Sequence, residues 1–197
     1  MNTLHSTFRP LLPVSLPFAG RQSYMHTFDL SSPLMAPGYH DYLDIVRELC
    51  EAAGVYQGQA HMTVDEKVVR AGGSQRRPGP HVDGCFRPSA DSWYHGGGSG
   101  GWLHGCNNIP TKEIARMPVI VVASAAGCRA WEGDFVGEPK SDGDLSHIAD
   151  QLGKGTVLEP NVGYLLSPDC VHESMLLDKD TQRTFLRIAL PNTFKGF

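Results

Sequence analysis

The sequence predicts a mainly β fold, a sandwich or barrel with helical buttressing. Three observations carry that prediction. One stretch alone shows sustained helical spacing, the runs after it are short and β-branched, and glycine-rich turns separate them. At 197 residues the chain fits one domain spanning 1–197, large enough for a single core to stand without a metal or disulfide.

Taken in order, residues 1–40 are rich in Pro, Ser and Thr and keep no period, which predicts an irregular N-terminal arm wrapping the body with at most short strands. Over 41–53, Leu43, Val46, Leu49, Cys50 and Ala53 recur at three- and four-residue spacing, and Gly54 stands where a helix C′ glycine belongs. This predicts an amphipathic helix covering a sheet. Residues 61–70 carry β-branched residues around a charged centre, fitting one long strand or a tight hairpin, and Gly72-Gly73 interrupts the pattern after it. Residues 86–118 form a long glycine-rich loop in which Trp93, Tyr94 and Trp102 surround the run 96–101. Val119 to Ala123 is continuously apolar, hence a buried strand. A short helix is expected at 144–152, and short strands at 156–159, 164–167 and 182–190, with a turn at 160–163.

Charge and composition exclude several classes. A net charge of −4 argues against nucleic-acid binding driven by bulk charge. No apolar run approaches the roughly 18–20 residues of a membrane span, and the segment 11–19 is broken by Pro13 and Pro17 without a basic cluster before it, so neither a membrane segment nor a signal peptide is expected. Five cysteines without a Cys-x-x-Cys pair predict no disulfide framework, and a reducing cytoplasm is the default.

Two histidines stand in chemically suggestive surroundings. In an extended strand, residues two apart share a face, so His81 and Asp83 turn inward together while Val82 turns out. His172 follows a predicted strand 91 residues later. Two imidazoles and one carboxylate on one side of a divalent metal leave positions open for other ligands, as in non-haem Fe(II) oxygenases. Alone, His-x-Asp also fits a hydrogen-bonded turn pair. Near the C-terminus, alternation puts Arg183, Phe185, Arg187 and Ala189 on one strand face and Thr184, Leu186, Ile188 and Leu190 on the other. Two arginines on so apolar a strand need partners, because a buried unpaired guanidinium is very costly. A bound dicarboxylate would supply one, and an edge strand with solvated or ion-paired arginines is the alternative.

His81-Val-Asp83, His172 and Arg183, eleven positions beyond the second histidine, resemble the His-x-Asp … His … Arg signature of the Fe(II)/2-oxoglutarate-dependent oxygenase superfamily. The passage 156–172 is similar to that superfamily's strand, turn, strand and metal-histidine succession, and the resemblance spans roughly residues 61–190. It implies a double-stranded β-helix, a jelly-roll or cupin-like barrel, with Fe(II) held by His81, Asp83 and His172. It further implies 2-oxoglutarate as cosubstrate, its C5 carboxylate on Arg183 or Arg187 with Arg183 favoured, and hydroxylation of a small-molecule or peptide substrate. A non-catalytic cupin-like binding module is the competing expectation, though the chain lacks the His-x-His pair usual in such sites.

Other motifs rank below these. His95, His104 and Cys106 cluster without a fourth ligand of recognisable zinc spacing. The glycine run 96–101 lacks the Gly-Lys-Ser/Thr ending of a phosphate loop, leaving a flexible loop or a substrate-covering lid. Arg76-Arg77 reads as a solvated pair, with a contact to an anionic substrate left open by its nearness to His81. Cys85 reads as a buried structural thiol.

Overall fold

A computed structural model describes residues 2–33, 35–83, 117–140, 143–191, 194 and 196, together with the backbone of 88–89 and 92–93. In chain order the strands are β1 (Thr3–Ser6), β2 (Phe8–Pro13), β3 (Gln22–Asp29), β4 (Gln59–Val69), β5 (Pro88–Ser89), β6 (Ser92–Trp93), β7 (Val119–Ala123), β8 (Cys128–Trp131), β9 (Gly133–Val136), β10 (Thr156–Val157), β11 (Val162–Leu166), β12 (Val171–Ser174) and β13 (Thr181–Ala189). One α-helix, α1 (Leu43–Ala53), follows a 3-10 turn at His40–Tyr42, and a second 3-10 segment occupies Ser146–Gln151.

The fold is mainly β. Six strands form one antiparallel sheet in the order β2-β11-β7-β13-β4-β3. A smaller sheet, β10-β8-β12, faces it, and β1 pairs with β9. Single-residue bridges from His81 to His172 and to Asp144 extend the small sheet beyond β12. The described strands do not close into a barrel.

Period-2 alternation divides the core. On one face of the large sheet, Met62 and Val64 of β4, Ile120 and Val122 of β7, Leu165 of β11, and Leu186 and Ile188 of β13 pack under Val46, Leu49, Cys50 and Ala53 of α1. The helix ends as its sequence requires, with Gly54 at φ 83° and its N–H on the carbonyls of Cys50 and Glu51. On the opposite face, Val119, Val121, Tyr164, Leu166, Phe185 and Ala189 meet Ala130, Leu158 and Cys170 between the sheets. A third cluster of Leu4, Val82, Trp131, Phe135, Leu145, Ile148 and Val171 backs the small sheet.

Several expectations change. Residues 1–40 are not an irregular arm, because β1, β2 and β3 all join sheets. The proline-containing β2 sits at a sheet edge, where a missing N–H is tolerated. Of the two readings of residues 61–70, the long strand holds, with 61–69 inside the eleven-residue β4. Most of the segment expected as a loop at 86–118 lies outside the described residues, as do Cys85, Tyr94, His95, the glycine run 96–101, Trp102, His104 and Cys106. Among the described residues no helix is long and apolar enough to cross a membrane.

Candidate metal centre

His81, Asp83 and His172 converge. One ligand atom from each lies within 4.8 Å of the others. The convergence is built by backbone pairing: His81 N donates to His172 O at 3.0 Å and His172 N to His81 O at 2.9 Å. Directly opposed residues in an antiparallel pair project to the same side, so both imidazoles face the large sheet. Their ring centroids lie 4.5 Å apart. Val82 and Val171 point the other way, into the cluster behind the small sheet. That is the His-in, Val-out, Asp-in alternation expected from His81-Val-Asp83.

Both rings are held from behind. His81 Nδ1 lies 2.8 Å from Gly79 O, and His172 Nδ1 lies 3.0 Å from Cys170 O. A carbonyl can only accept, so each Nδ1 carries a proton and each Nε2 is the atom turned to the centre. Gly79, between Pro78 and Pro80, has φ 78°, a left-handed conformation that turns its carbonyl back onto the ring. Burial, then the neighbouring His172, push the His81 imidazole down to about 3, so it is neutral at physiological pH. Neutral imidazole is the form that binds metal.

Asp83 is fixed between a cation and a histidine. Arg187 donates to Oδ1 at 3.0 Å, and Oδ2 lies 3.6 Å from His172 Nε2. Burial alone would raise this carboxyl, but Arg187 and then His172 outweigh it and hold Asp83 below the usual carboxylate range. The same carboxylate outweighs burial at His172 and raises that imidazole. The donor set therefore fits a divalent cation. It offers two imidazole nitrogens and one ionised carboxylate oxygen, with the outer atoms already hydrogen-bonded.

Around the group opens a cavity of about 430 Å³, counting the part open to solvent. Arg76, Arg77, Arg187 and Glu173 give it charge, and Val121, Leu158, Leu166 and Phe185 give it an apolar wall. The arginines divide in a way that strand alternation does not reveal. Arg187 lines the cavity and Arg183 is not among the described lining residues. Arg183 is fully buried and donates to Ala125 O, Gln75 Oε1 and Cys128 Sγ. The arginine favoured for a ligand carboxylate thus bonds to the protein. Arg76-Arg77 needs correction as well, because these side chains are only 11% and 21% exposed and both line the cavity.

Two residues, one on the wall and one against Arg187, carried no recognised signal. Cys128 enters through a short strand, β8, too brief to show a period. Met25 reaches Arg187 Nη2 with its sulfur at 3.2 Å from a bulged stretch of β3 where its own φ is 54°. Bulges re-aim side chains in this manner. Compared with family models, curated proteins and solved structures, the chain matches none.

Proposed function

We propose that this protein is an Fe(II)/2-oxoglutarate-dependent oxygenase, a hydroxylase of a small-molecule or peptide side-chain substrate in the cytoplasm, built on a jelly-roll double-stranded β-helix. The observation that supports this most is the meeting of His81, Asp83 and His172 on one cavity wall, with both Nδ1 atoms turned onto carbonyls. Two antiparallel sheets enclosing that wall are compatible with the architecture. His81, Asp83 and His172 would hold the iron.

Bound iron would supply, with 2-oxoglutarate and dioxygen, the oxidation that places oxygen in a substrate C–H bond as succinate and CO2 leave. The chain's residues do the rest. His81 presents a neutral nitrogen lone pair, and His172 would present one once a metal displaces the proton that Asp83 favours there. Arg187 occupies one oxygen of Asp83, which orients the other toward the histidines. The wall formed by Val121, Leu158, Leu166 and Phe185 excludes water from the reacting groups.

The test is anaerobic addition of Fe(II) and 2-oxoglutarate, followed by exposure to dioxygen. A visible charge-transfer band on mixing, and 2-oxoglutarate-dependent release of CO2 in air, are expected. Stoichiometric metal binding with neither signal would mark a non-catalytic cupin-like binding module instead.

A further inference from the structure

Strand β3 carries one residue more than the strand beside it. Ser23 pairs with Val64 and His26 with Met62, so three steps along β3 match two along β4. The extra residue shows in the side chains. Regular alternation would send Tyr24 and Met25 to opposite faces. Instead both meet arginines of the candidate centre. The Arg76 guanidinium lies 5.4 Å from the Tyr24 ring centroid, and Arg187 Nη2 donates to Met25 Sδ at 3.2 Å. On either side of the bulge, Gln22 and Thr27 bond Asp65 and His61, which share a sheet face with Arg187. Phe28 joins the opposite cluster, under α1.

The conformation that delivers Met25 is an uncommon one. Its φ of 54° is left-handed, rare for a bulky side chain, and surrounding contacts must outweigh the strain. Its N–H donates to the Thr63 hydroxyl at 3.2 Å, and its side chain is buried between the sheets. Arg187 reaches Asp83 through its other terminal nitrogen, Nη1 donating to Oδ1 at 3.0 Å. One planar guanidinium thus joins Met25 to a candidate metal ligand, and contacts on two of its nitrogens fix its rotation.

We propose that Met25 is a positioning residue, inserted into β3 to hold Arg187 in the orientation that places Asp83 for a divalent metal. The proposal rests on reading His81, Asp83 and His172 as a metal centre. Pairing alone does not require the bulge, since without Met25 ordinary alternation would keep Gln22, Tyr24, Thr27 and Phe28 on their present faces.

The experiment compares Mn(II) affinity, read from the free ion's electron paramagnetic resonance signal, with the Tm of the metal-free, intact chain. Met25→Leu keeps an apolar side chain between the sheets but removes the acceptor. Met25→Gln puts an amide among apolar neighbours but can accept from Arg187. Tm should stay near wild type in Met25→Leu and fall in Met25→Gln, while Mn(II) affinity runs the other way. Losing a ligand's direct partner typically costs about 10- to 100-fold in metal affinity. Met25 acts one contact further out, so Met25→Leu should weaken Mn(II) about three- to tenfold, and Met25→Gln should recover most of that loss. The chain lacking Met25 should keep native near-ultraviolet circular dichroism and bind Mn(II) no better than Met25→Leu. Should that deletion fail to fold, the Leu and Gln variants decide alone. Affinity that falls in step with Tm, or wild-type affinity in Met25→Leu, would overturn the role. If the wild-type protein binds no Mn(II), the metal-centre reading falls and this role falls with it.

Discussion

At the scale of single residues, the candidate centre depends on a carboxylate whose charge is opposed by burial and favoured by its partners. Asp83 is buried, and Arg187 offsets the cost of its charge. Breaking such a buried pair from one side leaves an uncompensated charge, so Arg187→Ala should destabilise the metal-free protein by about 3–5 kcal/mol. A denaturant midpoint equal to wild type would show that the pair contributes little. Asp83→Ala strands Arg187 in the same way and should cost stability too, whereas the two histidine ligands should behave differently. His81→Ala, Asp83→Ala and His172→Ala should each abolish 2-oxoglutarate turnover while near-ultraviolet circular dichroism stays native, because the three hydrophobic clusters pack through other side chains. Undiminished turnover in His172→Ala would sink the assignment.

Elements set the next level. Helix α1 packs tightly on the large sheet where β11 carries Gly163: a Cβ there would lie 2.3 Å from Leu49 Cδ2. Gly163→Ala should therefore destabilise by overpacking, typically about 1–3 kcal/mol, and Leu49→Ala by cavity formation, about 2–5 kcal/mol. Because one clash involves both positions, the double variant should be less damaged than the two losses added together. Strict additivity in a double-mutant cycle would refute this contact. Strand β4 is tied to the chain before it through Glu66, which accepts from Ala19 N, Arg21 N and Nε, and the Tyr42 hydroxyl. Burial opposes its charge, but those donors win and lower its pKa. A depressed folded-state pKa stabilises above the unfolded carboxylate value, about 4.3, and that contribution is lost as pH falls through the folded value. The Tm difference between wild type and Glu66→Gln should thus be largest near neutrality and shrink below about pH 4. A gap independent of pH would contradict this role.

For the whole molecule, metal binding would be linked to folding. His172 lies 91 residues beyond His81 and joins the His81–Asp83 pair only in the folded state, so a divalent ion held by all three would bind the native form in preference to the unfolded one. At one hundred times its Kd, such an ion adds about 2.7 kcal/mol of stability. Mn(II) should raise the Tm of wild type and leave that of His172→Ala unmoved. An equal rise in both proteins would place the metal elsewhere.

The local pattern by itself determined α1, the apolar β7, the faces of β13 and the shared orientation of His81 and Asp83. In each case the period repeats often enough, or a residue such as Gly54 is specific enough, for near neighbours in sequence to decide the outcome. Strands β1, β8 and β9 are four residues long, too few to show a period, and they acquire extended form from pairing. Only the tertiary structure decided what each inward-facing side chain meets. Arg183 and Arg187 share a face, yet the first finds Gln75 at 108 residues' separation and the second Asp83 at 104. Arg76, expected in solvent, is buried between Tyr24 and Phe185. Alternation tells which way a side chain points, whereas its partner across the sandwich depends on sheet order and register, which no local window contains.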